Sequence, residues 1–116
     1  MKPYSIAYVP CRCRKCGATF QEPACYMSEC MFCDDAKTEP MLWHEYVRSL
    51  KQYNPNFPKD KIEAVARDLE SEWYKLGRYI ETMSKLHKDF NGTETVNESN
   101  MKARDIAVDL EEELWS

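Results

Sequence analysis

Glycine is scarce. The 116 residues hold three, each isolated, so there is no glycine-rich loop to cradle a phosphate and no Gly-x-Ser-x-Gly elbow for a hydrolytic serine. Long hydrophobic runs are missing too: no stretch of about 18 apolar residues exists, which argues against a transmembrane helix. The first eleven residues, MKPYSIAYVPC, carry one Lys and an apolar run broken by Tyr4, Ser5 and Tyr8, not the layout of a secretion signal. The expected location is therefore the cytoplasm, with no membrane contact. On that expectation, Asn91-Gly92-Thr93 and Asn97-Glu98-Ser99 match the glycosylation pattern by chance. An excess of positive charge is also lacking. The net charge is −4; residues 1–37 hold five Lys or Arg against four Asp or Glu, and residues 38–116 hold eleven against sixteen. A nucleic-acid contact, if the chain makes one directly, has to lie in the first third.

Only two histidines occur, and neither completes a catalytic pattern. His44-Glu45 begins like a helical metalloprotease sequence, but Arg48 stands where the second His ligand is required. His87 falls on an apolar seam and reads as a packed or edge residue. Acidic residues are plentiful on outer helix faces, where solvation is their ordinary state. These absences point to a protein that is not an enzyme.

What the chain does have is six cysteines, all between Cys11 and Cys33. In a reducing compartment such a count indicates metal ligands more often than disulfides. Cys13-x2-Cys16 and Cys30-x2-Cys33 are separated by residues 17–29, and a two-residue gap lets both thiolates of a turn point at one ion while backbone N–H groups bond to the sulfurs. Two such knuckles supply a closed tetrahedral set suited to one Zn2+. With no open coordination position the ion is expected to be structural. Cys11, Cys25 and His44 are the remaining candidate ligands. Cys11-Arg12-Cys13 also leaves open a reactive thiol pair or an iron–sulfur centre, hence a redox role. Arg12, Arg14 and Lys15 gather at the first knuckle beside Tyr8 and Phe20; they are candidate nucleic-acid contacts, or else offset the negative charge of four thiolates.

Cys13-Arg14-Lys15-Cys16-Gly17 resembles the first knuckle of zinc-ribbon and rubredoxin-like proteins, and Cys30-Met31-Phe32-Cys33-Asp34 is similar to the second, with Asp34 where Gly is usual. The resemblance covers residues 4–35 and implies a small hairpin module holding zinc. A helix follows soon after, so a treble-clef-like arrangement fits as well. Proteins with these knuckles include transcription factors, polymerase subunits, nucleases and pure interaction modules, so the resemblance implies a module and not an activity.

Along the chain, Tyr4, Ile6 and Tyr8 alternate as a strand that Pro10 is expected to end, and Ala18–Gln21 reads as its hairpin partner. From Thr38 the period turns helical. Thr38 suits the N-cap of a helix over about 39–53, with Trp43, Tyr46, Val47, Leu50 and Tyr53 as its stripe. Asn54–Pro58 stops it, and a long helix is expected over 59–90, opened by a capping pair Asp60/Glu63 and closed by Asn91-Gly92. Ile62, Leu69, Leu76, Met83 and Phe90 recur every seven residues along it, with Ala66, Trp73, Ile80 and His87 between. Residues 91–100 read as a loop, and 101–115 as a last helix with Ala103, Ile106, Ala107, Leu110 and Leu114 on one face and Asp105, Asp109 and Glu111–Glu113 on the other.

The expected fold is thus small α+β: a zinc-ribbon-like or treble-clef-like module over 1–37, then an antiparallel three-helix bundle with one long helix over 38–116. A heptad seam also permits self-association, although Trp73 and His87 fit a two-stranded core poorly. The function expected is that of a zinc-binding adaptor or regulator whose partner is a protein, one belonging to nucleic-acid machinery.

Overall fold

The computed structural model describes residues 8–23 and 38–116. The Tyr4 and Ile6 end of the expected first strand, and Cys25, Cys30 and Cys33, lie outside the described residues. Within them the chain is a small α+β protein, a three-stranded antiparallel sheet followed by three helices, one of them long.

Strands β1 (Tyr8–Cys13) and β2 (Thr19–Pro23) form the hairpin, with Cys11 opposite Phe20 and Arg12 opposite Thr19. Pro10 does not end β1 as expected; the strand runs through it. The backbone N and O of one strand residue point to the same side, and at Pro10 that side faces the end of the third strand, where only its carbonyl is used, accepting the Met41 N–H at 2.9 Å.

That third strand, β3 (Thr38–Pro40), lies on the other edge of β1 and corrects the expected start of the first helix. Thr38-Glu39-Pro40 carries good helix-opening residues, but the free edge of β1 offers a ladder and the three residues take it. Helix α1 is accordingly only Trp43–Ser49, continued by one 3-10 turn, Leu50–Gln52. Its N-terminus is tied by Glu45, whose Oε1 accepts the Leu42 N–H at 3.0 Å.

Helix α2 spans Lys59–Leu86, about 42 Å at 1.5 Å per residue. It begins one residue after Pro58, so Asp60 lies inside its first turn and the expected capping pair does not form. Glu63 instead bonds to Arg48 of α1. The helix also stops four residues early, with His87 extended at φ −131° and ψ 116°.

Helix α3 (Thr93–Trp115) takes in most of the expected loop. Asn91 Oδ1 accepts both the Thr93 N–H at 3.0 Å and the Thr93 hydroxyl at 2.6 Å, satisfying a donor at the helix start. Asn91-Gly92 therefore opens α3 rather than closing α2. Thr95, Val96, Ser99 and Asn100 are half-buried and continue the face of Ala103, Ala107, Leu110 and Leu114, so this polar stretch is helical because small side chains let it pack.

Contacts at both ends show that α3 runs antiparallel to α2. Lys61 Nζ lies 2.7 Å from Glu113 Oε2, while Gly92 sits where an added Cβ would be 3.4 Å from the Ile80 side chain. The core gathers Trp43, Tyr46, Val47 and Leu50 with Ile62, Ala66 and Leu69 and with Ala107, Leu110 and Leu114. Only the first half of the α2 heptad stripe is buried; Leu76, Ile80 and Met83 are half-exposed. No helix among the described residues is long and apolar enough to cross a membrane.

Candidate metal knuckle

Alternation along β1 places Cys11 and Cys13 on one face and Arg12 on the other. Both thiols are buried, at 0% and 1% exposure, whereas Arg12 is exposed. After Cys13 the chain turns through residues 14–16 and returns at Gly17, whose φ of +75° lies in the left-handed region that glycine takes without strain. Two backbone bonds close the turn: Gly17 N–H to Cys13 O at 3.1 Å and Cys13 N–H to Ala18 O at 2.9 Å. As a result, the N–H groups of Lys15 and Cys16 both aim at Cys13 Sγ, at 3.3 and 3.4 Å. Two N–H dipoles on one sulfur are the surroundings that offset the charge of a metal-bound thiolate. Cys16 follows at the exposed end of the turn. The residues present thus fit half of a four-thiolate set.

The other candidates are placed differently. Cys11 Sγ–H donates to Phe20 O at 3.5 Å, across the hairpin and inside the core. Among the described residues no three His, Cys, Asp or Glu side chains gather in a way that could hold a metal ion. His44 is buried on α1 and turns to α2, its Nε2 3.6 Å from Glu70 Oε2. Glu70 is in turn held by Arg48, which also reaches Glu63. Bonding to Arg48 keeps both carboxyls below the usual carboxylate range, and the two carboxylates raise the pKa of Arg48 still further above its ordinary value.

No family model, curated protein or solved structure matches this chain. What the site can do is therefore read from its geometry.

The basic cluster at the knuckle meets an acidic partner that sequence reading had assigned to a helix. Glu39 lies opposite Arg12 in the β1–β3 ladder, and its Oε1 accepts from Arg12 Nη2 at 2.7 Å and Nε at 3.3 Å. Arg14 Nε lies 3.5 Å from Glu39 Oε2. The Arg12 guanidinium holds Glu39 below its ordinary pKa, so the carboxylate stays charged between the two arginines. One carboxylate thus offsets part of the three-cation patch, and Lys15 remains exposed beside it.

Sequence reading also missed a polar seam between the sheet and the helices. Tyr46 Oη donates to Glu111 Oε1 at 2.5 Å, Gln21 Nε2 donates to the same oxygen at 2.8 Å, and Arg104 Nε donates to Gln21 Oε1 at 3.1 Å. Beside it, Thr19 N–H donates to Tyr53 Oη at 2.7 Å. Glu111, expected on the outer face, is therefore turned inward. The only advance signal was its spacing, one residue past Leu110 and three before Leu114.

Proposed function

We propose that the chain is a non-enzymatic zinc-binding adaptor or regulator, in which Cys13, Cys16, Cys30 and Cys33 hold one structural Zn2+ and the helices offer a surface to a protein partner. The observation that carries the metal assignment is the pair of N–H donors at Cys13 Sγ in a turn made possible by Gly17. When bound, the ion supplies cross-linking of the hairpin, with no open position for substrate. The acidic balance of residues 38–116 supports a partner with a basic surface, such as a component of nucleic-acid machinery. Direct nucleic-acid binding draws less support, because Glu39 occupies Arg12 and part of Arg14.

The metal content of the purified full chain tests this reading. One zinc per chain is expected, as is Co2+ substitution with the charge-transfer absorbance of thiolate ligands; Cys13→Ser removes both, while Cys11→Ala leaves both in place. A chain that folds and takes up neither zinc nor cobalt would sink the metal assignment. Affinity capture with the zinc-loaded chain tests the adaptor role; recovery of nothing above a control bait counts against it.

A further inference from the structure

Four elements, β1, α1, α2 and α3, converge on a cavity of about 350 Å3. Its apolar walls include Met41, Trp43, Leu69, Trp73, Ala103 and Ile106. Trp43 is 7% exposed and forms a fixed wall, its ring held edge-on to Tyr46 at 5.8 Å, while Trp73 is 36% exposed. Apolar clefts of this size between packed helices, with a few polar groups at the edge, are the usual form of a small-molecule site. The space lies near the lower end of the about 300–1,000 Å3 of ligand pockets and so suits a small ligand.

Charge at the edge selects the ligand. His44 and Glu72 reach the cavity but are engaged, His44 with Glu70 at 3.6 Å and Glu72 with Lys75 at 3.5 Å. Lys102 also lines it, is exposed, and has no ion-pair partner among the described residues. An apolar body between the two indoles leaves water, while a carboxylate at the exposed Lys102 end stays partly hydrated, so no unpaired charge is buried.

We propose that this cavity binds a medium-chain monocarboxylate, with its hydrocarbon chain between Trp43 and Trp73 and its carboxylate at Lys102. The site is separate from the metal knuckle and stands or falls independently of it. Octanoate, octanol and octylamine are suitable probes, titrated into the full chain and followed by amide NMR shifts and tryptophan fluorescence in a Trp115→Phe background. Saturable shifts centred on residues 41–44, 69–73 and 99–106 are expected. Octanoate should bind about 2–5-fold more tightly than octanol, the ratio that an exposed ion pair supplies, and octylamine more weakly than either. Lys102→Gln, an exposed change, should abolish the preference for the acid and leave octanol affinity unaltered; Ser99→Leu, which fills the edge of the cavity, should weaken both. The proposal is overturned by the absence of saturable shifts in those residues, by octylamine binding as well as octanoate, by an unchanged acid-to-alcohol ratio in Lys102→Gln, or by unchanged binding of both probes in a folded Ser99→Leu.

Discussion

Replacing Tyr46 with Phe deletes one oxygen from the seam that joins the sheet to α3, and the size of the effect can be worked out from its partners. Tyr46 is 4% exposed, and its hydroxyl donates to the Glu111 carboxylate at 2.5 Å. A hydrogen bond to a charged group contributes about 1.5–3 kcal/mol. Glu111 is only half-buried and keeps its bond from Gln21 at 2.8 Å, so water can repair part of the loss. The ring remains packed on Trp43. A destabilisation of about 1–2 kcal/mol is expected, a fall in Tm of about 3–10 °C for a domain of this size. Urea unfolding followed by circular dichroism measures it. Alkaline pH adds a second signature. Burial, and then the hydrogen bond to the Glu111 carboxylate, raises the Tyr46 pKa well above its ordinary value of about 10. Above pH 10 the unfolded chain therefore releases this proton while the native chain keeps it, so the wild type loses stability as pH rises. Tyr46→Phe has no such group, and the gap between the two proteins should narrow by up to about 1.4 kcal/mol per pH unit above pH 10. A substitution that is neutral at pH 7, or a gap that stays constant from pH 9 to 11, would refute the reasoning.

Other outcomes follow from the same packing. Glu63 and Glu70 have depressed pKa values because Arg48 bonds to both, so their contribution is present above their unfolded pKa of about 4.3 and is lost as pH falls through the folded values. Arg48→Met should move the midpoint of acid unfolding to higher pH; an unmoved midpoint means that the bridge is energetically silent. Gly17→Ala meets no atom within 4 Å but must hold φ at +75°, so a cost of about 1–2 kcal/mol from backbone conformation alone is expected, read in urea titrations of the metal-free chain. Ile62 is fully buried at the meeting of the three helices, and Ile62→Ala should cost about 2–5 kcal/mol in the same assay. A loss below about 1 kcal/mol would mean that the site collapses around the gap.

Much of the architecture was legible where one strong local pattern spoke alone. The stripe Ile62, Ala66, Leu69 places α2 and its buried face, the proline pair at 55 and 58 separates it from α1, and the Gly17 turn locates the hairpin. The misread stretches are those where two local signals competed. Thr38-Glu39-Pro40 opens a helix in isolation, yet pairs with β1 because an unsatisfied strand edge is available. Residues 93–100 look like loop by composition, but Ser, Thr and Asn lower helix propensity by well under about 1 kcal/mol each, and packing against α2 overcomes that.

The candidate site divides along the same line. The sequence by itself determined the Cys-x-x-Cys-Gly turn, since two residues between thiols and a glycine after them are local constraints that hold whatever surrounds them. It also determined the helical character of most of residues 43–115, through hydrophobic period. Only the tertiary structure decided that Glu39 would reach Arg12 and Arg14, that His44 would turn to Glu70, that Glu111 would face Tyr46, and that two distant tryptophans would wall one cavity. Those pairings join residues 25 to 65 positions apart, and their energies depend on which faces meet, a quantity that local propensity does not contain.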